Sequence, residues 1–248
     1  MTQEARFCAN CGERLVAGAA FCGQCGRPVA GRSAPVPPTP AAAGVAPSAG
    51  SIDASATGAV ATGYPLRYDV EYAEELSRWL IFVKWLLVIP HTIILYALSV
   101  AATVIGFIAF FAILFTKRYP RGMFDFVVNV NRWGANVGAY SVLFRDEYPP
   151  FSWEPGQYAV TYEVDYPQEL SRWLPLIKWL LAVPHYIVLL VLLIAVYFAY
   201  IIAWFAILFT KRFPRGLFDF IVGVNRWNYR VGAYTALLRD EYPPFSLR

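Results

Sequence analysis

Residues 68–152 recur at 162–246 without a gap, and well over half of the aligned positions are identical. His91 returns as His185, Lys84 as Lys178, Asp125 as Asp219 and Arg132 as Arg226, always 94 positions on. A chain of this kind folds as two copies of one unit, whatever that unit is. Each copy holds a long stretch free of Asp, Glu, Lys and Arg, at 85–116 and 179–210. Uncharged apolar runs beyond about 18 residues read as membrane segments. The whole chain agrees, with 58% hydrophobic and 15% charged residues against about 25% charged in soluble domains.

Each unit opens on an alternating stretch, "LRYDVEY" or "VTYEVDY", which predicts a short strand. A helix start follows, "EELSRWLIFVKWLL" or "QELSRWLPLIKWLL", whose Trp79/Trp85 and Trp173/Trp179 suit the headgroup level. Arg78 and Lys84 are expected to reach from it to water. After the apolar run comes a basic tag, "TKRYPRG" or "TKRFPRG". An amphipathic segment follows, with Asp125, Asn129, Arg132 and Asn136 on one helical stripe. Each unit closes on "RDEYPPFS", where the paired prolines force an extended exit.

The expected fold is mainly α and integral to the membrane: tandem helical units, each with an amphipathic or interfacial helix and one short strand. Both tags obey the positive-inside rule only if both face the cytoplasm, so each unit crosses an even number of times. The reading preferred from sequence is a helical hairpin, with spans near Trp79–Leu98 and Ser99–Thr116. The rival is one long span after Pro90 that returns through residues 121–144, with Lys117 and Arg118 outside. Neither "LSVAAT" nor "LLIAVY" carries a clear turn residue.

The pattern R-W-L…K-W-L-L-x-x-P-H…F-A-I-L-F-T-K-R-x-P-R-G-x-F-D-F…N-R-W…R-D-E-Y-P-P-F-S resembles the bacterial membrane family DUF4389, here in two copies over about residues 66–248. The resemblance implies a fold and an inner-membrane location. It carries no activity to transfer.

All four cysteines fall near the start, in "FCANCGERL" and "FCGQCGRPV". Cys8 with Cys11 and Cys22 with Cys25 form two C-x-x-C turns, each followed by a glycine that lets the backbone fold back. Four thiolates on two such turns make a closed tetrahedral site for structural Zn2+, with no open position for catalysis. Two disulfides or four free thiols are the alternatives, and a cytosolic N-terminus keeps thiols reduced. The segment is similar to the short zinc-ribbon modules at the N-termini of many bacterial membrane proteins. Met1 to Val16 shows no apolar signal-peptide core. The expected organisation is a zinc ribbon at 1–30, a disordered Pro/Ala/Gly linker at 31–63, and membrane repeats at 64–153 and 154–248.

Candidate polar residues of a membrane site are His91, His185, Asp125, Asp219, Arg132 and Arg226. The histidines read either as ligands or proton carriers, or as ring caps beside a proline. Asp125 with Arg132 and Asp219 with Arg226 read as ion pairs, buried or wetted. The tags read as topology anchors or as sites for anionic headgroups. No nucleophile elbow, zinc-protease helix or phosphate loop is present, and no basic footprint for nucleic acid. The expectation is a non-catalytic membrane protein whose ribbon meets a cytosolic protein partner. A lipid or solute carrier with its site between the repeats is the alternative.

Overall fold

A computed structural model describes residues 63–248. The four cysteines and nearly all of the linker lie outside them. The elements run β1 (Leu66–Val70), α1 (Leu80–Leu87), α2 (Ile89–Thr116), α3 (Arg121–Ser141), β2 (Val160–Val164), α4 (Leu174–Thr210) and α5 (Arg215–Thr235). The protein is thus mainly helical, and each unit supplies one strand, one long apolar helical stretch and one amphipathic helix.

The hairpin expected from sequence does not form. Helix runs from Leu80 to Thr116 with a single break at Val88, and from Leu174 to Thr210 with none. The cause is local. Ser99 donates its hydroxyl to the Tyr96 carbonyl at 2.8 Å, and Thr103 donates to Ser99 at 2.8 Å. The polar groups of "LSVAAT" therefore fold back on their own helix instead of opening a turn. Pro90 falls in the first turn of α2, where its missing N–H costs nothing. Both 37-residue stretches are long and apolar enough to cross a membrane, by length and composition. Most of their side chains are exposed.

Each long helix stops at a lysine in the left-handed region, Lys117 at φ 59° and Lys211 at φ 60°. A side chain there costs about 1–2 kcal/mol, and bonds from the other unit offset the cost. The Leu170 N–H donates to the Lys117 carbonyl at 2.8 Å, and the Leu76 N–H to the Lys211 carbonyl at 2.8 Å. Pro120 and Pro214 then hold an extended residue before the next helix begins.

The predicted strands are present, and they join the two units. β1 and β2 are antiparallel, in a register that sets Leu66 opposite Val164, Tyr68 opposite Tyr162 and Val70 opposite Val160. Tyr68 thus faces its own counterpart, and a twofold axis passes between them. Contacts across such an axis are reciprocal, and here they exchange the lead-in segments. The first unit's strand packs on α5 and the second unit's strand on α3. Tyr72 donates to the Phe213 carbonyl, and Tyr166 donates to the Tyr119 carbonyl, each at 2.5 Å. The Arg215 guanidinium lies over Tyr72, and Arg121 over Tyr166. Leu66, Tyr68, Val70, Val160 and Tyr162 are buried beneath this exchange.

Candidate functional site

Two of the most deeply buried charges are lysines that the sequence placed at the water surface, and Arg230 is buried to the same extent. Lys84 and Lys178 are each 2% exposed. Lys84 Nζ lies 2.8 Å from the Asp146 carboxylate and donates to the Arg145 carbonyl at 2.6 Å. Lys178 repeats this with Asp240 at 2.8 Å and the Arg239 carbonyl at 2.7 Å. Tyr140 and Tyr234 cover the ammonium groups with their ring faces. The second carboxylate oxygens accept from the Ser77 and Ser171 N–H groups. Each "RDEY" aspartate therefore ties the closing tail of its unit to the start of the same unit's long helix. Sequence offers little signal for this. The lysine and its aspartate are about sixty positions apart, and only their joint recurrence hints at pairing.

His91 and His185 are fully buried, each within its own unit. His91 stacks on Phe151 with ring centroids 4.0 Å apart, and Tyr148 and Trp133 complete the box. His185 does the same with Phe245, Tyr242 and Trp227. The Trp227 indole N–H donates to His185 Nδ1 at 3.1 Å, which leaves the ring neutral at that nitrogen. No histidine lines the cavity that lies between the units. The "YPPF" tails explain the arrangement: their extended exit lays two aromatic rings against the imidazole.

The expected ion pairs along the amphipathic stripe do not form. Seven residues are two helical turns, about 10 Å along the axis, and nearer partners win. Asp125 pairs with Arg121 one turn back at 3.1 Å, on an exposed face. Arg132 instead donates to the Tyr162 and Trp153 carbonyls at 3.0 and 3.1 Å and to Asn129 at 2.6 Å. Arg226 donates to the Tyr68 and Leu247 carbonyls at 2.8 and 3.0 Å and meets Asp69 at 3.2 Å. The two arginines thus grip the strand of the opposite unit. Arg215, which would answer Asp219, turns to Glu74 at 2.8 Å. The six candidate residues occupy separate places and do not share one polar site.

At the axis the two copies differ. Tyr229 packs on both Tyr68 and Tyr162, with centroids 4.7 and 5.2 Å away, and the position 94 residues earlier is Ala135. One large ring fits on a twofold axis where two would collide. Burial pushes all three phenols up, Tyr229 to about 12, so none serves as a base near neutrality. A second difference lies beside the C-terminus. A Cβ on Gly223 would sit 2.9 Å from the Leu247 carbonyl oxygen, whereas the first copy has Asn129 there.

An open cavity of about 620 Å³ lies between the units, lined by Ile81, Lys84, Trp85 and Leu143 of the first and Tyr200 and Trp204 of the second. Its walls are mostly apolar. Among the described residues no group of His, Cys, Asp and Glu is arranged to hold a metal ion.

Comparison with known proteins gives two family matches. Residues 7–29 match the zinc-ribbon domain, which covers the four cysteines. No curated protein and no solved structure matches the chain. Residues 78–152 and 173–246, more than half of the chain and the two units described above, match the domain of unknown function DUF4389. The chain belongs to the DUF4389 family and carries two copies of its domain.

Proposed function

We propose that this is a non-catalytic protein of the cytoplasmic membrane that holds a zinc ribbon at the cytosolic surface for a protein partner. The observation that supports this most is the pairing of a zinc-ribbon domain at 7–29 with a body whose buried cations are spent internally. Lys84, Lys178, Arg132 and Arg226 hold carbonyls and carboxylates of the fold, so these cations are committed to structure, Lys84 included although it lines the cavity. The long apolar helices favour the bilayer, since a soluble body would have to cover them.

The donor set of Cys8, Cys11, Cys22 and Cys25 fits zinc, because four thiolates in two C-x-x-C pairs are the donor type and spacing that a closed structural zinc site uses. Bound zinc would supply much of the folding free energy of so short a segment. The purified full chain should contain one zinc per molecule, and Cys8→Ser with Cys22→Ser should remove it. Proximity labelling from an enzyme fused at the C-terminus should then lose a subset of cytosolic proteins in the same variant. Identical labelled sets with and without the cysteines would contradict the partner role.

The 620 Å³ cavity favours one other reading, a lipid carrier with its site between the units. Native mass spectrometry of detergent-released protein separates the two. A retained lipid that Leu143→Trp displaces would support the carrier.

A further inference from the structure

A twofold axis in a membrane protein stands either along the membrane normal or within the membrane plane. Resting on the membrane reading above, we propose that it stands along the normal here. Both long helices then begin and end at the same face of the bilayer. Their partner is the headgroup and hydrocarbon of the leaflet on that side, and neither helix is a simple crossing.

The hydrogen bonds at the helix ends carry the argument. Arg78, at the start of the first long helix, donates to the Phe209 carbonyl at 2.9 Å, at the end of the second. Leu76 bonds Lys211, and Leu170 bonds Lys117 in the reciprocal place. Each helix therefore starts where the other finishes. With the axis along the normal, Lys117 and Lys211 share one depth, and the two starts share it with them. With the axis in the plane, the ends of each helix fall on opposite faces and the axis itself lies at mid-bilayer. Tyr68 and Tyr162 sit on that axis, flanked by Arg67 and Glu163, which are 72% and 50% exposed. Charged side chains at mid-bilayer cost about 2.5–3.5 kcal/mol each on insertion scales. Sheet edges left open to lipid do not occur in hydrocarbon.

Charge and length point the same way. Arg78 and Arg172 flank the starts of the helices. Lys117, Arg118 and Arg121 flank one finish, and Lys211, Arg212 and Arg215 the other; all eight are exposed. All four ends are basic, and the positive-inside rule sends all four to the cytoplasm. A straight helix of 37 residues is about 55 Å long at 1.5 Å per residue. Crossing the roughly 40–45 Å from headgroup to headgroup would need a tilt of about 35–45°, at the upper end of the roughly 0–40° range of spanning helices. A helix whose two ends share one face meets no such mismatch.

The test uses the full chain with Cys8, Cys11, Cys22 and Cys25 changed to Ser, and one new cysteine at a time. Ser77→Cys and Ser171→Cys report the starts of the helices, and Thr116→Cys and Thr210→Cys the finishes; all four positions are exposed. Inside-out and right-side-out vesicles receive a membrane-impermeant maleimide, and retention is checked separately by alkaline carbonate. All four cysteines should label in inside-out vesicles alone, with the protein kept in the pellet. Ser77→Cys and Thr116→Cys labelled from opposite faces, with the protein retained, would overturn the one-face insertion. All four labelled only from the outer face would overturn the face assigned. Release of the protein by carbonate would overturn the membrane reading on which the inference rests.

Discussion

Lys84 and Asp125 are both charged residues beside an apolar helix, and their surroundings give them different weights. Lys84 is buried against Asp146 and a backbone carbonyl. Asp125 meets Arg121 on an open face, its side chain 46% exposed. Removing one partner of a buried pair typically costs about 3–5 kcal/mol, whereas an exposed pair contributes about 0–1. Lys84→Met should therefore lower stability by about 3 kcal/mol, since Asp146 keeps some contact with solvent. Asp125→Ala should lower it by less than about 1 kcal/mol. Thermal unfolding in detergent measures both, and equal losses would contradict the assignment. The sequence marked the stripe residues as the polar candidates and passed over the lysines. A lysine beside tryptophans reads as a snorkelling anchor, and its aspartate is distant in the chain.

The elements were more legible than their connections. Alternation in "LRYDV" and "VTYEV" gave both strands, and the polar stripe gave α3 and α5. The turn inside each apolar run was an inference from charge alone, and local propensity overrode it, since Leu, Ala and Val simply continued the helix. Periodicity also cannot say which unit a strand will cover. Arg132 and Arg226 decide that by binding carbonyls of the opposite strand. Tyr229 sits at the centre of this exchange, so Tyr229→Ala should cost about 3 kcal/mol by opening a cavity. Adding Ala135→Tyr should restore much of the loss, because the twofold offers the same space from the other side. Additive losses in the double variant would mean that the two positions do not share the axis.

For the whole molecule, a gapless duplication says that two like units exist and leaves their pairing open. They could have stood side by side, each complete. Instead each completes the other, through paired strands and lead-in segments held at the other unit's basic tag. The two DUF4389 copies thus form one body. That exchange underlies the asymmetry at Tyr229 and the proposal of insertion from one face. Cysteines at Arg67 and Glu163 test it most directly, since these two lie opposite each other across the sheet with exposed side chains. In the full chain with the four native cysteines changed to Ser, Arg67→Cys with Glu163→Cys should form a disulfide within one chain under mild oxidation. The product should run as a monomer whose mobility changes on reduction. Cross-links found only between chains, or none at all, would contradict the exchanged arrangement.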